Sequence, residues 1–352
     1  MTRAPDINYP EADRAGNDIL HPRNVFSLLG HSEAEERFAR LYWQNKLHHA
    51  WLISGPTGIG KATLAYRMIR RVLGGVPQTE GHLDIPEADP IAQRISSLGH
   101  GDFLLIRRPY DHKTKKLRAE IPISETRKIS NFFSRKPSEG GWRVCLIDTI
   151  DEMNRNATNA ALKTLEEPPE KTLIILLSNA PGRLLPTIRS RCLSLPLRPV
   201  PQPEMQGWLG KHTSVGNEHI EAAIKLSGGA PGMALALVEH ADTVLRPLKN
   251  FMAEFPRSNP VLEHALSDTL SLQKSQKDLQ LFWDCLDKSL HAQAVYVATG
   301  MWQGPYRPIA LDKTPDAWAK LKDELGRIRR AQEGLNMNKK TVLTHALSKV
   351  GA

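Results

Sequence analysis

A short apolar run, followed at once by a glycine-rich turn, a lysine and a helical pattern, constrains the fold more than any other part of the chain. Residues 51–71 read WLISGPTGIGKATLAYRMIRR. The first residues predict a buried strand, and the apolar spacing after Lys61 predicts an amphipathic helix. Glycines let backbone N–H groups approach a phosphate, and the start of a helix adds a positive dipole end. The stretch therefore predicts a phosphate-binding loop (P-loop), with Lys61 contacting the outer phosphates.

The predicted loop departs from the usual pattern at one position. Ala62 stands where the motif has the serine or threonine that ligates magnesium. Thr63 comes next, but one helical step of about 100° should turn its hydroxyl away. We expect ATP or ADP to be held without hydrolysis and without a metal; the alternative is a glycine turn that holds no ligand. The predicted binding residues on the loop are Gly55, Gly58, Gly60, Lys61, Ala62 and Thr63.

Length, charge and hydropathy narrow the class of protein. The chain has 352 residues, which predicts about two or three domains. Its formal net charge of +9 fits work near nucleic acid, and it fits an ordinary basic surface equally well. A membrane-spanning helix needs about 18 consecutive apolar residues, and no apolar run in the sequence is that long. The first residues do not show the pattern of an export signal. We therefore expect a cytoplasmic protein without a membrane partner.

The cysteines argue against metal and disulfide chemistry. Cys145, Cys192 and Cys285 lie far apart and form no Cys-x-x-Cys pair. Neither a disulfide framework nor a thiolate zinc site is expected from such spacing.

Strands and helices alternate over the first two hundred residues. Further buried strands are predicted at 103–106, 142–148, 172–177 and 192–197. With helical patterns between them, they predict a mainly parallel α/β sheet that is covered on both faces. Asp148 ends one strand and Asn179 follows the next, at the edge where such sheets bind ligands. Before the first strand, Ser32 and Glu35 predict a capping box at the start of a helix.

A proline-rich linker follows the α/β part, and the sequence after the linker shows helical patterns throughout. The predicted divisions are a loose tail at 1–22, an α/β domain at 23–198, a small helical domain at 199–243 and a second helical domain at 244–352. The basic segment 107–118 is predicted to be a solvated loop or hairpin.

Three stretches together resemble a known family. HHAWLISGPTGIGKAT (48–63), NAALKTLEEPP (159–169) and LLSNAPGRLLPTIRSRC (176–192) are similar to the clamp-loader subunits of bacterial DNA polymerase III, which are AAA+ proteins. The resemblance spans residues 24–240. It implies an AAA+ P-loop domain, a helical lid at 199–243 and a helical collar at 244–352 that joins subunits. It also implies that Asp148 and Asn179 belong to the nucleotide site.

Departures from the family pattern indicate which branch the chain resembles. Besides Ala62, Thr149 replaces the glutamate that orients the attacking water, and Gly232 stands where the lid carries a phosphate-sensing arginine. Asp151 and Glu152 are close in sequence but are expected to point elsewhere. The three missing groups make the chain resemble the delta-prime subunits of the family, which are stationary and do not hydrolyse ATP. One alternative is an active motor subunit of the gamma/tau type. A free-standing P-loop kinase or nucleic-acid binder would leave the helical third unexplained.

The turn Ser190-Arg191-Cys192 keeps the family pattern. In the family this turn supplies an arginine finger to ATP on the neighbouring subunit, so the resemblance implies that role for Arg191. The alternative is a structural salt bridge, and Arg189 lies close enough to confuse the assignment. The partners implied are a gamma/tau motor subunit, a delta subunit, the ring-shaped sliding clamp and primed DNA.

Overall fold

The structure is a computed structural model, and it describes residues 21–351 except 112, 114–115, 140, 256–258, 273–275, 310 and 336. The chain divides into two compact units, one ending at Val200 and the other beginning at Pro201. Of the predicted tail at 1–22, residues 1–20 lie outside the described residues. The boundary predicted between residues 243 and 244 stays a prediction.

The first unit alternates helices and strands, as the apolar runs predict. In chain order its elements are α1 (Ser32–Trp43), β1 (Ala50–Ser54), α2 (Lys61–Val72), α3 (Pro90–Ser96), β2 (Phe103–Ile106), β3 (Tyr110–Asp111), β4 (Lys116–Leu117), α4 (Ile123–Phe133), β5 (Arg143–Asp148), α5 (Arg155–Glu166), β6 (Thr172–Ser178), α6 (Pro186–Arg189) and β7 (Leu193–Pro196).

Five of these strands form one parallel sheet in the order β2-β5-β6-β1-β7. Every residue of β1 and β6 is buried, because helices cover both faces of the sheet. β1 lies between β6 and β7, so the loop that follows it emerges from the interior of the sheet. The predicted parallel α/β fold is confirmed.

Side chains of β1 point alternately to the two faces of the sheet and pack on the helices of each face. Leu52 belongs to a buried cluster with Ile129 of α4 and Leu165 of α5. Trp51 points the other way, and its ring meets Phe38 of α1 edge to face with 5.1 Å between centroids. Helix α2 contacts β1, β5 and β6. The sheet is therefore the middle layer of three.

The short strands β3 and β4 pair antiparallel, with Tyr110 opposite Leu117. The basic segment 107–118 thus contains a hairpin, which is one of the two forms predicted for it. Residues 112, 114 and 115 of this segment are outside the described set.

The second unit contains helices and connecting turns in its described part. Its elements are α7 (Gln202–His212), α8 (Asn217–Ser227), α9 (Pro231–Glu239), α10 (Arg246–Ala253), α11 (Pro260–Ser271), α12 (Gln276–Thr299), α13 (Pro315–Leu335) and α14 (Lys339–Gly351). Among the residues described, none of the helices is both long and apolar enough to cross a membrane.

Candidate functional site

The glycine loop lies between the carboxyl end of β1 and the start of α2. Gly55, Gly58 and Gly60 have φ values of 149°, 80° and 111°, which glycine adopts more readily than other residues. A Cβ on Gly55 would lie 3.1 Å from the carbonyl oxygen of Leu197, so the backbones approach closely there. The three glycines are therefore required by the shape of the turn, as the motif predicts.

Lys61 is the first residue of α2, and its ammonium group is bound by its own chain. Nζ donates to the carbonyl oxygens of Gly55 at 2.8 Å and Pro56 at 2.9 Å, and to Oδ1 of Asn179 at 2.7 Å. The residue is only 6% exposed. A phosphate that used this lysine would have to replace at least one of these acceptors, because an ammonium has three protons to donate.

The residues around the loop fit a phosphate better than they fit a metal. The glycine turn and the amino end of α2 are suited to an anion. Ala62 offers no hydroxyl to a magnesium ion. Within the described parts of the chain, no group of three or more histidine, cysteine or acidic residues is placed to hold a metal ion.

Asp148 and Thr149 lie where the sequence predicts, at the carboxyl end of β5. Asp148 is in register with Leu177 of β6, so both strands end at the same edge as the P-loop. Thr149 is 2% exposed, and its hydroxyl meets no hydrogen-bond partner among the described residues. A buried hydroxyl cannot act as the carboxylate base that the family uses at this position.

Asp151 contacts two residues at the end of β6 that sequence reasoning did not assign to it. A 3₁₀ turn over Ile150–Glu152 places its carboxylate over the end of β6. Oδ1 accepts from Ser178 Oγ at 2.8 Å and Oδ2 from the backbone N–H of Asn179 at 2.5 Å. Asp151 was expected to point away from the position of the missing glutamate, and the structure directs its carboxylate to Ser178 and to the backbone of Asn179. The polar pair Ser178-Asn179 after an apolar strand was the available signal.

The contacts form one chain of hydrogen bonds across the edge of the sheet. Asp151 holds the backbone of Asn179, and the side chain of Asn179 accepts from Lys61. The structure therefore brings Lys61 and Asn179 together, as predicted, and adds Asp151 behind them.

Arg191 lies in the turn between α6 and β7, and its side chain contacts Thr187 and Glu166 rather than the P-loop. Nη1 donates to the carbonyl oxygen of Thr187 at 2.9 Å, and Nη2 lies 2.8 Å from Oε1 of Glu166. The Arg191 side chain is 35% exposed. The ion pair joins two of the sequence motifs, since Glu166 belongs to NAALKTLEEPP. The guanidinium is thus at the surface and not buried in its own unit.

The other two residues of the turn have local roles. Ser190 Oγ donates to the carbonyl oxygen of Thr187 at 3.2 Å. Burial raises the pKa of the Cys192 thiol to about 12, so this cysteine stays protonated at neutral pH. Neither side chain offers a reactive group.

A glycine loop with a buried lysine after an interior parallel strand, and an asparagine after the neighbouring strand, define a P-loop domain of the AAA+ fold.

Comparison with known proteins narrows this class. Residues 30–201 match the family model described as DNA polymerase III, delta subunit. Residues 204–238 match the model for the AAA+ ATPase lid domain of DNA polymerase III subunit delta'. Over 204 residues the chain is 31% identical to DNA polymerase III subunit delta' of Escherichia coli K12, with 58% of each protein covered. Over 227 residues it is 32% identical to DNA polymerase III subunit gamma of Buchnera aphidicola subsp. Schizaphis graminum, which covers 62% of this chain and 59% of that protein.

Among solved structures, a DNA polymerase III gamma subunit-related protein of Thermotoga maritima is similar, with a TM-score of 0.47 and 17% identity. That comparison covers 91% of this chain and 98% of the other. The chain spans about three fifths of the length of the two curated relatives named above. The two matched family models together take in more than half of the chain, and the chain belongs to the family of DNA polymerase III clamp-loader subunits of the delta-prime, gamma and tau type.

Proposed function

We propose that the chain is a delta-prime-type, non-hydrolysing subunit of a DNA polymerase III clamp loader. In such a complex it acts in the bacterial cytoplasm with a gamma/tau motor subunit and a delta subunit, and helps to place the sliding clamp on primed DNA. The observation that carries the proposal is the composition of the P-loop site. Its position 62 has no hydroxyl and its position 149 has no carboxylate.

Both missing groups bear on the hydrolysis of ATP. Magnesium neutralises charge on the transferring phosphoryl group, and a polar side chain beside it orients the attacking water. Ala62 cannot ligate the metal, and Thr149 is buried and uncharged. The nearest additional carboxylate, Asp151, is engaged by Ser178 and Asn179. We propose that nucleotide, where it binds, is held by the glycine loop and Lys61 and is not cleaved.

The surface position of Arg191 supports a role at a neighbouring subunit's nucleotide. A guanidinium stabilises charge on a transferring phosphoryl group and remains charged at any physiological pH. Its present partner is Glu166 in a half-exposed ion pair, and such pairs contribute only about 0–1 kcal/mol. Exchange of Glu166 for a phosphate is therefore inexpensive in free energy, and Thr187 can keep the side chain oriented during the exchange.

Substitution of Arg191 tests this role. In a complex reconstituted with gamma/tau and delta subunits, Arg191→Ala should lower clamp- and DNA-stimulated ATP hydrolysis at the neighbouring site on the order of 10³-fold. Arg189→Ala is the matched control, since Arg189 is exposed two residues away and should leave the rate unchanged. Unchanged stimulation in Arg191→Ala would contradict the finger role.

Glu166→Gln separates the finger from a structural salt bridge. The substitution removes the charge that pairs with Arg191 while keeping the shape of the side chain. If Arg191 acts on a neighbour's phosphate, Glu166→Gln should leave the stimulated ATPase at its wild-type rate or above. If the ion pair itself is what matters, Glu166→Gln should lose as much activity as Arg191→Ala.

A second candidate is an active motor subunit of the gamma/tau type. It is favoured by the 32% identity to a gamma subunit and by Lys61, which the loop retains. ATP turnover by the purified chain alone decides between the two. We expect no turnover above the background rate, and a rate that rises with magnesium would favour the motor.

A further inference from the structure

His31, the residue before α1, contacts the P-loop although it lies outside the motif. Its Nε2 is 2.9 Å from the carbonyl oxygen of Ile59, which precedes Gly60. A carbonyl oxygen only accepts hydrogen bonds, so Nε2 carries the proton and donates it. The two residues are 28 positions apart in the sequence, and nothing in the glycine motif predicts their contact. The loop is therefore supported by a side chain from another part of the chain.

This hydrogen bond fixes the orientation of the peptide unit between Ile59 and Gly60. In a trans peptide the carbonyl and the N–H point in opposite directions. Because the Ile59 carbonyl is turned towards His31, the N–H of Gly60 points away from the imidazole. Among the residues that the structure describes, this N–H donates to no backbone carbonyl. A backbone N–H held in this way at the start of a helix is suited to an anion.

Gly60 makes the orientation of this peptide unit easy to lose. Its φ is 111°, and a residue without a side chain also tolerates the φ that the reversed peptide unit requires. Reversal would turn the Ile59 carbonyl oxygen, which carries a partial negative charge, towards a phosphate in the loop. A Cβ at position 60 would lie 3.1 Å from Cδ1 of Leu28, so a glycine is needed there for the close packing. A hydrogen bond from outside the loop is thus what opposes reversal.

His31 is held in a conformation that is uncommon for a residue with a side chain. Its φ of 64° and ψ of 21° are left-handed, and such residues are concentrated at functional sites. The segment before it is anchored on α2, where the Arg70 guanidinium lies 3.9 Å from the centroid of the Phe26 ring. The helix after it is anchored on α2 as well, through the ion pair of Glu35 with Arg67. The imidazole is therefore placed by contacts on both sides of it in the chain.

We propose that His31 is a positioning residue of the P-loop, which keeps the N–H of Gly60 directed at a phosphate of the bound nucleotide. It acts through the carbonyl of Ile59 and touches neither the base nor the ribose. A histidine that only supports the start of α1 would leave the affinity for phosphate unchanged. The inference rests on the proposed binding of nucleotide at the P-loop, and it adds to that proposal the residue that orients the loop.

Calorimetric titration of the full chain with ADP, and separately with inorganic pyrophosphate, tests the proposal. His31→Gly keeps the left-handed backbone and removes the imidazole, so it should weaken both ligands about three- to tenfold, as the loss of one hydrogen bond predicts. Asn45→Gly is the matched control, because Asn45 also has a positive φ, of 54°, and follows the other end of α1. It should bind both ligands as the wild type does. His31→Gln provides a side-chain N–H of similar reach and should retain most of the affinity.

The outcomes separate this inference from the proposal on which it rests. If the wild-type chain binds neither ligand up to about 1 mM, the proposed nucleotide site and the role of His31 both fail. If the wild type binds and His31→Gly binds equally well, or loses no more than Asn45→Gly, the role of His31 alone is overturned. A loss for ADP with unchanged affinity for pyrophosphate would assign His31 to the nucleoside, and this too would overturn the positioning role.

Isotope labelling follows the peptide unit itself. Ile59-Gly60 is the only isoleucine–glycine pair in the sequence. A chain with ¹³C in isoleucine carbonyls and ¹⁵N in glycine therefore gives a single carbonyl-correlated amide signal. Without ligand, His31→Gly should move the ¹³C frequency upfield, as expected when a carbonyl loses a hydrogen bond, and His31→Gln should keep it. Pyrophosphate should move the amide frequency in the wild type. A ¹³C frequency that is the same in His31→Gly would overturn the proposal.

Discussion

At the scale of single residues, the P-loop lysine is a structural group as well as a candidate ligand for phosphate. Lys61 joins the two ends of its own loop to the residue after β6 through Gly55, Pro56 and Asn179. Buried hydrogen bonds from a charged donor contribute more than neutral ones. The loop therefore keeps its shape through interactions inside the chain.

Asp151 should stabilise this arrangement from behind. Asp151→Asn removes the charge and at least one of its two acceptor contacts, and because Asp151 is exposed we expect the free energy of unfolding to fall by only about 0.5–1.5 kcal/mol. Glu152→Gln is the control, because Glu152 pairs with Arg108 in a partly exposed salt bridge, and its loss should cost less than about 1 kcal/mol. Urea unfolding measures both. Acetylation of Lys61, followed by mass spectrometry, should be faster in Asp151→Asn alone; equal rates would contradict the linkage.

The glycine positions and Lys61 could be predicted from sequence, and the partners of Lys61 could not. A motif records which residue types surround a phosphate, so the spacing of Gly55, Gly58 and Gly60 was informative. The contact between Asp151 and Asn179 depends on the 3₁₀ turn after β5 and on where β6 ends. Residues 28 positions apart carry no mutual signal in a single sequence.

At the scale of elements, a polar network holds the amino ends of β2 and β5. His100 is 4% exposed, and its Nδ1 accepts from the backbone N–H of Asp102 at 3.2 Å. Asp102 in turn accepts from Ser138 Oγ at 2.8 Å and lies 3.3 Å from Arg143. A protonated imidazole could no longer accept from Asp102, so the network requires neutral histidine.

This network should make the first unit less stable in mild acid. Burial, and then the charge of Arg94, lower the pKa of His100 below its ordinary value of 6.5. The unfolded chain therefore binds more protons than the folded chain just below pH 6.5, and stability falls as the pH decreases through that range. His100→Gln should flatten the slope of unfolding free energy between pH 7 and pH 5. His82→Gln, at an exposed histidine, should not; an unchanged slope in His100→Gln would contradict the assignment.

Strand positions were predicted well, and helix ends less well. Buried strands such as β6 are continuous apolar runs, which little else in a soluble protein resembles. The capping box at Ser32 and Glu35 was wrong: His31, with φ 64°, precedes the helix, and Ser32 is its first residue. Glu35 instead pairs with Arg67 of α2. Tertiary contact between α1 and α2 outweighed the local capping preference.

At the scale of the whole molecule, the division at Val200–Pro201 predicts separable roles. A fragment of residues 21–200 should keep a cooperative thermal transition, since the sheet and its helices lie within it. It should fail to join gamma/tau and delta subunits on a sizing column, because the helical part is the proposed assembly region. Full-length chain is the control, and co-elution of the fragment with those subunits would contradict the proposed collar.

The hydrogen bonds that Lys61 donates to its own loop affect how such sequences should be compared. A lysine that holds the loop together has a structural reason to be kept in a chain that, as proposed above, does not cleave nucleotide. A recognisable ATP signature can thus outlive the activity from which it arose. Inactive relatives are better recognised by the hydroxyl and carboxylate they have lost than by the lysine they keep.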